Sequence, residues 1–342
     1  MTAQDLRPHT IRAHELYGDF WFNSEPVPIA ALRGRVIVIH FWDYTCAHSL
    51  RSIPYIKEWS KKYEQHGLVV VGVHTPKFPF GKNPEEVHKA VTRLGITYPV
   101  VMDNEAEIAS KYGSRVWPSL YVIDKSGYVR FQNFGEGNSQ AIEHAIQTLL
   151  YDAGVDEELP LLMEPLRDED RTGAVCYRVT PELFTGYVRG TLGNVEGYSP
   201  ESVVEYLDPM LYLDGRFYAG GNWMNDRNSL RLAPDGDKSG HIVLKYQALE
   251  VNAVIKPEGD SGFEVVVTQD DMPLSEASKG DDVTIGEDGR SYLTIRDAKM
   301  FSVVRNKEFG EHVLKLSAKS GGFALYSLTF VSCVIPELVS NN

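Results

Sequence analysis

The chain has 342 residues, and 34 Lys+Arg against 47 Asp+Glu give it a formal net charge of -13 at pH 7. This length is sufficient for about two domains with buried cores, and 43% hydrophobic with 24% charged residues is typical of a globular protein rather than a disordered or collagen-like one. The negative charge argues against a nucleic-acid partner and against an anionic membrane surface.

Residues 35–150 alternate short β-branched runs with amphipathic segments. Buried strands are predicted at 36–41 and 68–73 and helices at 49–65 and 84–94, which is the pattern of parallel βαβ units. The elements predicted after these are strands at 98–102, 120–123 and 128–131 and a closing helix at 139–150. We therefore expect residues 1–150 to form a layered α/β sandwich domain.

Residues 151–173 contain eight acidic residues and two prolines. Prolines interrupt regular elements and clustered charges favour water, so we interpret this stretch as a solvated acidic linker. From residue 174 to 342, strand-like runs alternate with turn signals such as Asp214-Gly215 and Gly220-Gly221, without a long helical pattern. This pattern predicts an all-β domain, either a sandwich or a jelly roll.

The three cysteines, Cys46, Cys176 and Cys333, are too few for a disulfide framework. Cys176 and Cys333 fall near the two ends of the predicted β domain, where they could form a disulfide or remain buried thiols. Residues 1–14 lack the apolar core of a signal peptide, and no membrane span is predicted. As written, the chain is expected to be soluble and cytoplasmic; a periplasmic or extracytoplasmic location is the alternative if a leader was removed.

The most informative segment surrounds Cys46, which follows a buried strand and stands at or just before the first turn of the next predicted helix. Unpaired backbone N–H groups and the positive end of the helix dipole stabilise an anion there. We therefore expect the pKa of the Cys46 thiol to lie below its free value of about 8.5. His48, in the first helical turn, would favour the thiolate further if protonated. The alternatives are a small buried Cys46 and a solvent-facing His48.

Several short motifs accompany Cys46 along the chain: Phe41-Trp42, Gly72-Val73-His74-Thr75-Pro76, the segments 78–84 and 98–103, Trp117-Pro118, and Phe134-Gly135-Glu136-Gly137. With these motifs, residues 17–150 resemble the thioredoxin superfamily. The resemblance is specifically to the TlpA/ResA-like redoxin branch found in the C-terminal part of DipZ-type cytochrome c biogenesis proteins. It implies an α/β thioredoxin-like sandwich and a thiol–disulfide oxidoreductase or isomerase activity.

The resemblance also implies that Pro118 is a cis-proline facing Cys46, and that the backbone of Trp117 can pair with an extended disulfide substrate. Trp42 is expected to pack beneath the active-site loop. Residues 180–187 and 323–330 resemble the opening and the last strand of the β domain that follows the thioredoxin module in DipZ-like proteins. In that family the β domain looks like a carbohydrate-binding module, which makes a glycan a further candidate partner.

The chain departs from the Cys-x-x-Cys motif of the family, because Ser49 stands at the second cysteine position. In a dithiol site the second thiol attacks the mixed disulfide and releases the substrate, which a hydroxyl cannot do. Ser49 can still hydrogen-bond to the Cys46 thiolate and stabilise it. We therefore predict a monothiol cycle, in which Cys46 attacks a disulfide-bearing protein to form a mixed disulfide and an external small thiol resolves it.

His40 is the second departure, since thioredoxins commonly carry a buried Asp at this position that moves protons for the second cysteine. His40 could relay protons to Cys46 through a water, or it could be a hydrogen-bonded core histidine. We favour the core histidine, because burial disfavours the charged imidazolium.

The main alternative function is a redox-inactive scaffold, in which the β domain binds glycan or protein through aromatics such as Tyr218, Trp223 or Tyr246. A peroxidase is disfavoured, since its motif places Pro and Thr/Ser at positions that hold Ile39 and Asp43 here. The histidines and cysteines form no close ligand set, so neither a metal nor a cofactor is expected.

Overall fold

The computed structural model describes residues 6, 8, 10–167, 170–171, 174–234, 239–259, 262–319 and 322–334. They form two compact units, one within residues 1–172 and the other within residues 173–342. The first unit contains both helices and strands, whereas the second is built from strands. The predicted fold class, an α/β sandwich followed by an all-β domain, is confirmed.

The described part of the first unit contains six strands and four α-helices. In chain order these are β1 (Trp21–Phe22), β2 (Val36–Trp42), α1 (Ala47–Tyr63), β3 (Leu68–His74), α2 (Pro84–Arg93), β4 (Val100–Met102), α3 (Glu107–Tyr112), β5 (Ser119–Ile123), β6 (Val129–Phe134) and α4 (Ser139–Ala153). The strands form one sheet in the order β1-β4-β3-β2-β5-β6. Strands β2, β3 and β4 run parallel, and the other pairs are antiparallel.

Strand β2 lies in the interior of this sheet and is buried along its whole length. Its side chains alternate between the two faces of the sheet. Val36 and Val38 pack in a cluster with apolar residues of α1, α2 and α4, whereas Ile37 and Ile39 pack in a cluster with residues of α3. Because both faces are covered, β2 is apolar except for His40, and it ends four residues before Cys46.

Helix α4 ends at Ala153, and the acidic stretch that follows packs on the first unit. Leu159 is buried there, and the amide of Leu166 donates to the Tyr55 hydroxyl at 2.8 Å. Most side chains in the described part of this stretch are exposed, as expected of a solvated segment, but the stretch packs on the first unit through these contacts. The charge pattern does not reveal such contacts, because they join residues that are distant in the sequence.

Glu143 of helix α4 holds this acidic stretch in place. Its side chain is only 1% exposed and accepts hydrogen bonds from the Met163 amide at 2.7 Å, the Lys62 ammonium at 2.6 Å and the Tyr63 hydroxyl at 2.6 Å. A carboxylate tolerates burial only with such donors, because an unpaired buried charge is strongly disfavoured. Glu143 thus connects α1, α4 and the acidic stretch.

The second unit has thirteen strands and no α-helix among its described residues. They are β7 (Val175–Cys176), β8 (Leu183–Phe184), β9 (Val203–Tyr206), β10 (Phe217–Asn225), β11 (Leu230–Leu232), β12 (Gly240–Pro257), β13 (Phe263–Gln269), β14 (Met272–Pro273), β15 (Val283–Ile285), β16 (Ser291–Ile295), β17 (Lys299–Ala318), β18 (Phe323–Val331) and β19 (Cys333–Val334). Eleven of them form one antiparallel sheet, and β7 pairs separately with β19. One edge of β12 pairs with β10 in its first half and with β18 in its second half.

The aromatics considered for glycan or protein binding lie in the core of the second unit. Tyr218, Trp223 and Tyr246 are each at most 3% exposed. The Trp223 indole donates to the Gly220 carbonyl at 3.0 Å, and the Tyr246 hydroxyl donates to Gln269 at 2.7 Å. Trp223 and Tyr246 belong to the apolar cluster of the unit, whereas Tyr218 packs against Tyr212. None of the three therefore offers the exposed platform that the alternative function would need.

Backbone pairing of β7 with β19 places Cys176 opposite Cys333. The side chains of both cysteines lie outside the described part of the structure, and so does the choice between a disulfide and two thiols. Among the described residues, no helix is long and apolar enough to cross a membrane.

Replacing Glu143 with glutamine is expected to lower the free energy of unfolding by about 2–3 kcal/mol, because an amide nitrogen would face a hydrogen-bond donor where a charged oxygen now accepts. Urea-induced unfolding of the full chain, followed by tryptophan fluorescence, measures this loss. Glu105→Gln is the matched control: it removes an exposed pair with Lys82 and is expected to change stability by less than about 0.5 kcal/mol. Equal losses in the two variants would contradict the structural role of Glu143.

Candidate active site

Cys46 is the N-cap residue of helix α1, directly after the loop that follows strand β2. Its amide donates to the Asp43 carbonyl at 3.1 Å, and its own carbonyl accepts the first helical hydrogen bond, from Leu50, at 3.0 Å. The residue is half-buried. Its Sγ lies 3.6 Å from the carbonyl oxygen of Trp117, and the Trp117–Pro118 peptide bond is cis. The fold thus brings Cys46 close to Trp117 and Pro118, which lie about seventy residues further along the sequence.

The electrostatic surroundings of Cys46 differ from the prediction. Burial raises the pKa of the Cys46 thiol above its ordinary value, and it outweighs the hydrogen bonds from the backbone and side chain of Ser49 and the positive charge of Lys77, which lower it. The negative charge of Asp43 raises it further. The expectation of a pKa below the free value is therefore wrong. The free energy lost when the thiolate is removed from water is larger than the stabilisation that the start of the helix provides.

Ser49 is fully buried in the first turn of α1. Its hydroxyl lies close to Cys46, where it favours the thiolate, and it accepts from the Asp43 amide at 3.4 Å. The hydroxyl of Ser49 therefore occupies the space of a second thiol and supplies a hydrogen bond instead of a second sulfur.

His48 is turned toward Glu136 rather than toward the sulfur. Its Nδ1 lies 2.9 Å from Glu136 Oε1, and Arg51 donates to the other oxygen of Glu136 at 2.8 Å. Burial acts to raise the pKa of Glu136, but the hydrogen bond from His48 and the charge of Arg51 lower it to about 2. His48 thus helps to hold the start of α1 against the segment after β6, and Lys77 is the cation that acts on Cys46.

His40 is buried in strand β2, and burial lowers its pKa to about 3, so that it is neutral at physiological pH. Its Nε2 lies 3.0 Å from Ser52 Oγ. Because Ser52 donates its own hydroxyl proton to the Ser49 carbonyl at 2.8 Å, the ring of His40 is the donor in this pair. His40 therefore contacts the active-site helix through Ser52 and has the surroundings of a hydrogen-bonded core histidine.

Trp42 is completely buried at the end of β2, beneath the residues that lead to Cys46. Its indole meets the ring of His74 edge-on at 5.2 Å, and Tyr44 stacks on the other side of that ring at 5.4 Å. These three aromatic rings form a rigid support for the active-site loop.

Sequence reasoning missed Lys77 and the contacts of Asp43. Lys77 follows strand β3 by three residues in an irregular segment, and a single lysine there forms no recognisable pattern. Asp43 entered the argument only as a mismatch to a peroxidase motif. Among the described residues, no group of three or more His, Cys, Asp or Glu side chains could hold a metal ion.

A mixed sheet flanked by helices, with a cysteine at the start of the helix that follows a central strand, defines a thiol–disulfide oxidoreductase-like protein of the thioredoxin fold. Family models agree with this class: residues 19–132 match the AhpC/TSA family, and residues 180–330 match the thioredoxin like C-terminal domain. The chain thus has two successive regions, each similar to one of these two families.

Individual relatives cover different parts of the chain. Protein DipZ of Mycobacterium tuberculosis is 34% identical over 261 residues, which is 75% of this chain but only 36% of DipZ. The thiol-disulfide oxidoreductase YkuV of Bacillus subtilis is 26% identical over 40% of this chain and 92% of YkuV. The crystal structure of a thiol-disulfide isomerase from Corynebacterium glutamicum is 24% identical over 40% of this chain and 96% of that chain, with a TM-score of 0.37.

Acidification is expected to remove the stabilising effect of Glu136. A carboxylate whose pKa falls from 4.5 to about 2 on folding stabilises the protein above pH 4.5, and this contribution, up to about 3 kcal/mol, is lost as the pH falls from 4.5 to 2. Urea unfolding of the wild type and of Glu136→Gln at several pH values measures the difference. The two curves should converge toward pH 2, and a constant separation would contradict the prediction.

Removing the Ser49 hydroxyl is expected to raise the pKa of Cys46 further. Since the thiolate fraction falls tenfold per pH unit below the pKa, a rise of about half to one unit in Ser49→Ala slows alkylation by about three- to tenfold. Iodoacetamide labelling between pH 6 and 10, read by mass spectrometry on the peptide that contains Cys46, measures the rate. Ser110→Ala, an exposed position in α3, is the control, and an unchanged rate in Ser49→Ala would refute the prediction.

Proposed function

We propose that the first unit carries out thiol–disulfide exchange with Cys46 as a single reactive thiol. The Cys46 thiolate attacks a disulfide R–S–S–R′, a Cys46–S–S–R bond forms, and R′–S⁻ leaves and takes a proton from solvent. An external thiolate R″–S⁻ then attacks the sulfur of R in the mixed disulfide, R–S–S–R″ forms, and Cys46 leaves as its thiolate. The observation that carries this proposal is the placement of a half-buried sulfur at the start of α1, 3.6 Å from the Trp117 carbonyl.

Ser49 supports the monothiol form of this cycle. Its buried hydroxyl stands where a second thiol would attack, so no neighbouring sulfur in the helix can displace the bound partner. The mixed disulfide then persists until another molecule supplies a thiol, because intramolecular attack is what makes a dithiol site fast.

The raised pKa of Cys46 favours capture of a partner over its rapid release. A thiol of higher pKa is a stronger nucleophile once ionised, but it is a poorer leaving group when the mixed disulfide is attacked. Exchange should therefore accelerate as the pH rises, and the Cys46 adduct should be long-lived at neutral pH.

A disulfide-bearing protein or a small disulfide is the substrate class that we propose, and a small thiol is the proposed reductant. The first unit is similar to the thiol-disulfide oxidoreductases YkuV of Bacillus subtilis and ResA of Geobacillus thermodenitrificans, which supports this class. The cellular location stays a prediction from the sequence. The cytoplasm is favoured, and an extracytoplasmic location is the alternative.

A redox-inactive scaffold is the second candidate, and the raised pKa of Cys46 is the observation that favours it. In this case the first unit would bind partners without reacting with them. The glycan-binding form of this function loses its support, because Tyr218, Trp223 and Tyr246 are buried.

A chromogenic aryl disulfide tests the exchange reaction at pH 8.5. The wild type is expected to release one aryl thiol through Cys46, to keep the other half as an adduct of that residue, and to be regenerated by dithiothreitol. Ser49→Cys should release a second aryl thiol per chain, because the new thiol resolves the adduct. Cys46→Ala is the control for Cys176 and Cys333. If it releases as much aryl thiol as the wild type, the scaffold function is correct and exchange is not.

A further inference from the structure

Asp43 contacts the residues around Cys46 through four of its groups. Its amide donates to Ser49 Oγ at 3.4 Å, and its carbonyl accepts from the Cys46 amide at 3.1 Å. One carboxylate oxygen accepts from both the amide and the hydroxyl of Thr45, and the other accepts from the Lys77 amide at 2.6 Å. Asp43 therefore joins the loop that carries Cys46 to the segment after β3 that carries Lys77.

Burial makes these contacts of Asp43 restrictive. The residue is 1% exposed, so that a lost hydrogen bond would leave a carboxylate oxygen without water as a substitute. His74 is also buried beside Asp43, and its Nε2 lies 3.9 Å from one carboxylate oxygen of Asp43. Each of the two loops therefore has little freedom to move relative to the other.

Two charges of opposite sign act on the Cys46 sulfur. The ammonium of Lys77 favours the thiolate, and the carboxylate of Asp43 disfavours it. The strength of a charge–charge interaction depends on distance, so the effect of Lys77 depends on where its backbone is held. Asp43 binds that backbone directly.

We propose that Asp43 is a positioning residue for Cys46: its carboxylate fixes the Cys46 loop against the Lys77 segment and thereby sets how closely the Lys77 ammonium approaches the sulfur. The inference rests on the proposed function and deepens it, because it assigns the residue that regulates the same reactive sulfur. Asp43 thus acts in two opposite ways, directly through its own charge and indirectly through Lys77.

The other titratable groups on the neighbouring elements are His40 on β2, His48 on α1, His74 on β3, Asp103 after β4 and Glu136 after β6. Burial lowers the pKa of both His40 and His74, which are therefore neutral at physiological pH. Glu136 is engaged with His48 and Arg51.

A double-mutant cycle on the full chain tests the proposal. The four proteins are the wild type, Asp43→Asn, Lys77→Met and the double variant. The pH dependence of iodoacetamide labelling is measured from the mass of the Cys46 peptide, which excludes Cys176 and Cys333. This labelling assay needs no disulfide substrate. The positioning role of Asp43 can therefore be refuted while the exchange function holds, and the exchange function can be refuted while the positioning role holds.

In the Lys77→Met background, Asp43→Asn is expected to lower the labelling midpoint, because only the direct charge of Asp43 is removed. In the wild-type background the same substitution also releases the segment that carries Lys77. The labelling midpoint should therefore either fall by less than in the Lys77→Met background or rise, and the two shifts should differ by about half a pH unit or more. Equal shifts in the two backgrounds would overturn the proposal and leave Asp43 as a simple negative charge.

Asp124→Asn is the matched control, since Asp124 is also a buried carboxylate, accepts from the amides of Ser126 and Tyr128 and from Arg130, and lies at the end of β5 that is opposite to Cys46. Its labelling midpoint should equal that of the wild type, and a shift as large as that of Asp43→Asn would reject the specific role. If Asp43→Asn does not fold, Thr45→Val replaces it in the cycle, because that variant removes one donor to the Asp43 carboxylate. Equal shifts of the labelling midpoint in the two backgrounds would again overturn the proposal.

Discussion

Desolvation of the Cys46 sulfur is the constraint on which the chemistry of the first unit depends. The start of helix α1, Ser49 and Lys77 all favour the thiolate, yet burial keeps the pKa of the thiol above its ordinary value. A site with this balance and without a second thiol reacts slowly at neutral pH and then holds its adduct, because a thiol of high pKa is a poor leaving group. The raised pKa and the serine therefore act in the same direction.

Buried and half-buried carboxylates hold parts of the first unit together. Asp43 joins two loops, Glu136 binds the start of α1, and Glu143 fastens the acidic stretch after α4. From the sequence, the excess of acidic residues indicated only which partners are unsuitable. In the fold, three of these acids are internal hydrogen-bond acceptors, each paired with donors from distant parts of the chain, which is what makes their burial tolerable.

The second unit shows how burial decides between a core residue and a binding residue. Aromatic side chains are typical of ligand platforms, but Trp223 and Tyr246 lie in the apolar cluster of this unit and Tyr218 is covered by the segment that carries Tyr212. Recognition by this unit would therefore need other residues, and the chemistry identified in this chain is that of Cys46.

The sequence by itself determined most elements of the first unit and the class of protein: apolar runs of the right length predicted the longer strands, and the motifs around Cys46 and Trp117-Pro118 indicated the thioredoxin fold. The short strand β1 and helix α3 were not predicted. The sequence also placed Cys46 at the start of a helix, because that position depends only on neighbouring residues. Only the tertiary structure decided the pKa of Cys46, the partner of His48 and the path of the acidic stretch. Each of these depends on burial or on a contact between distant residues, such as His48 with Glu136, and local sequence carries no measure of either.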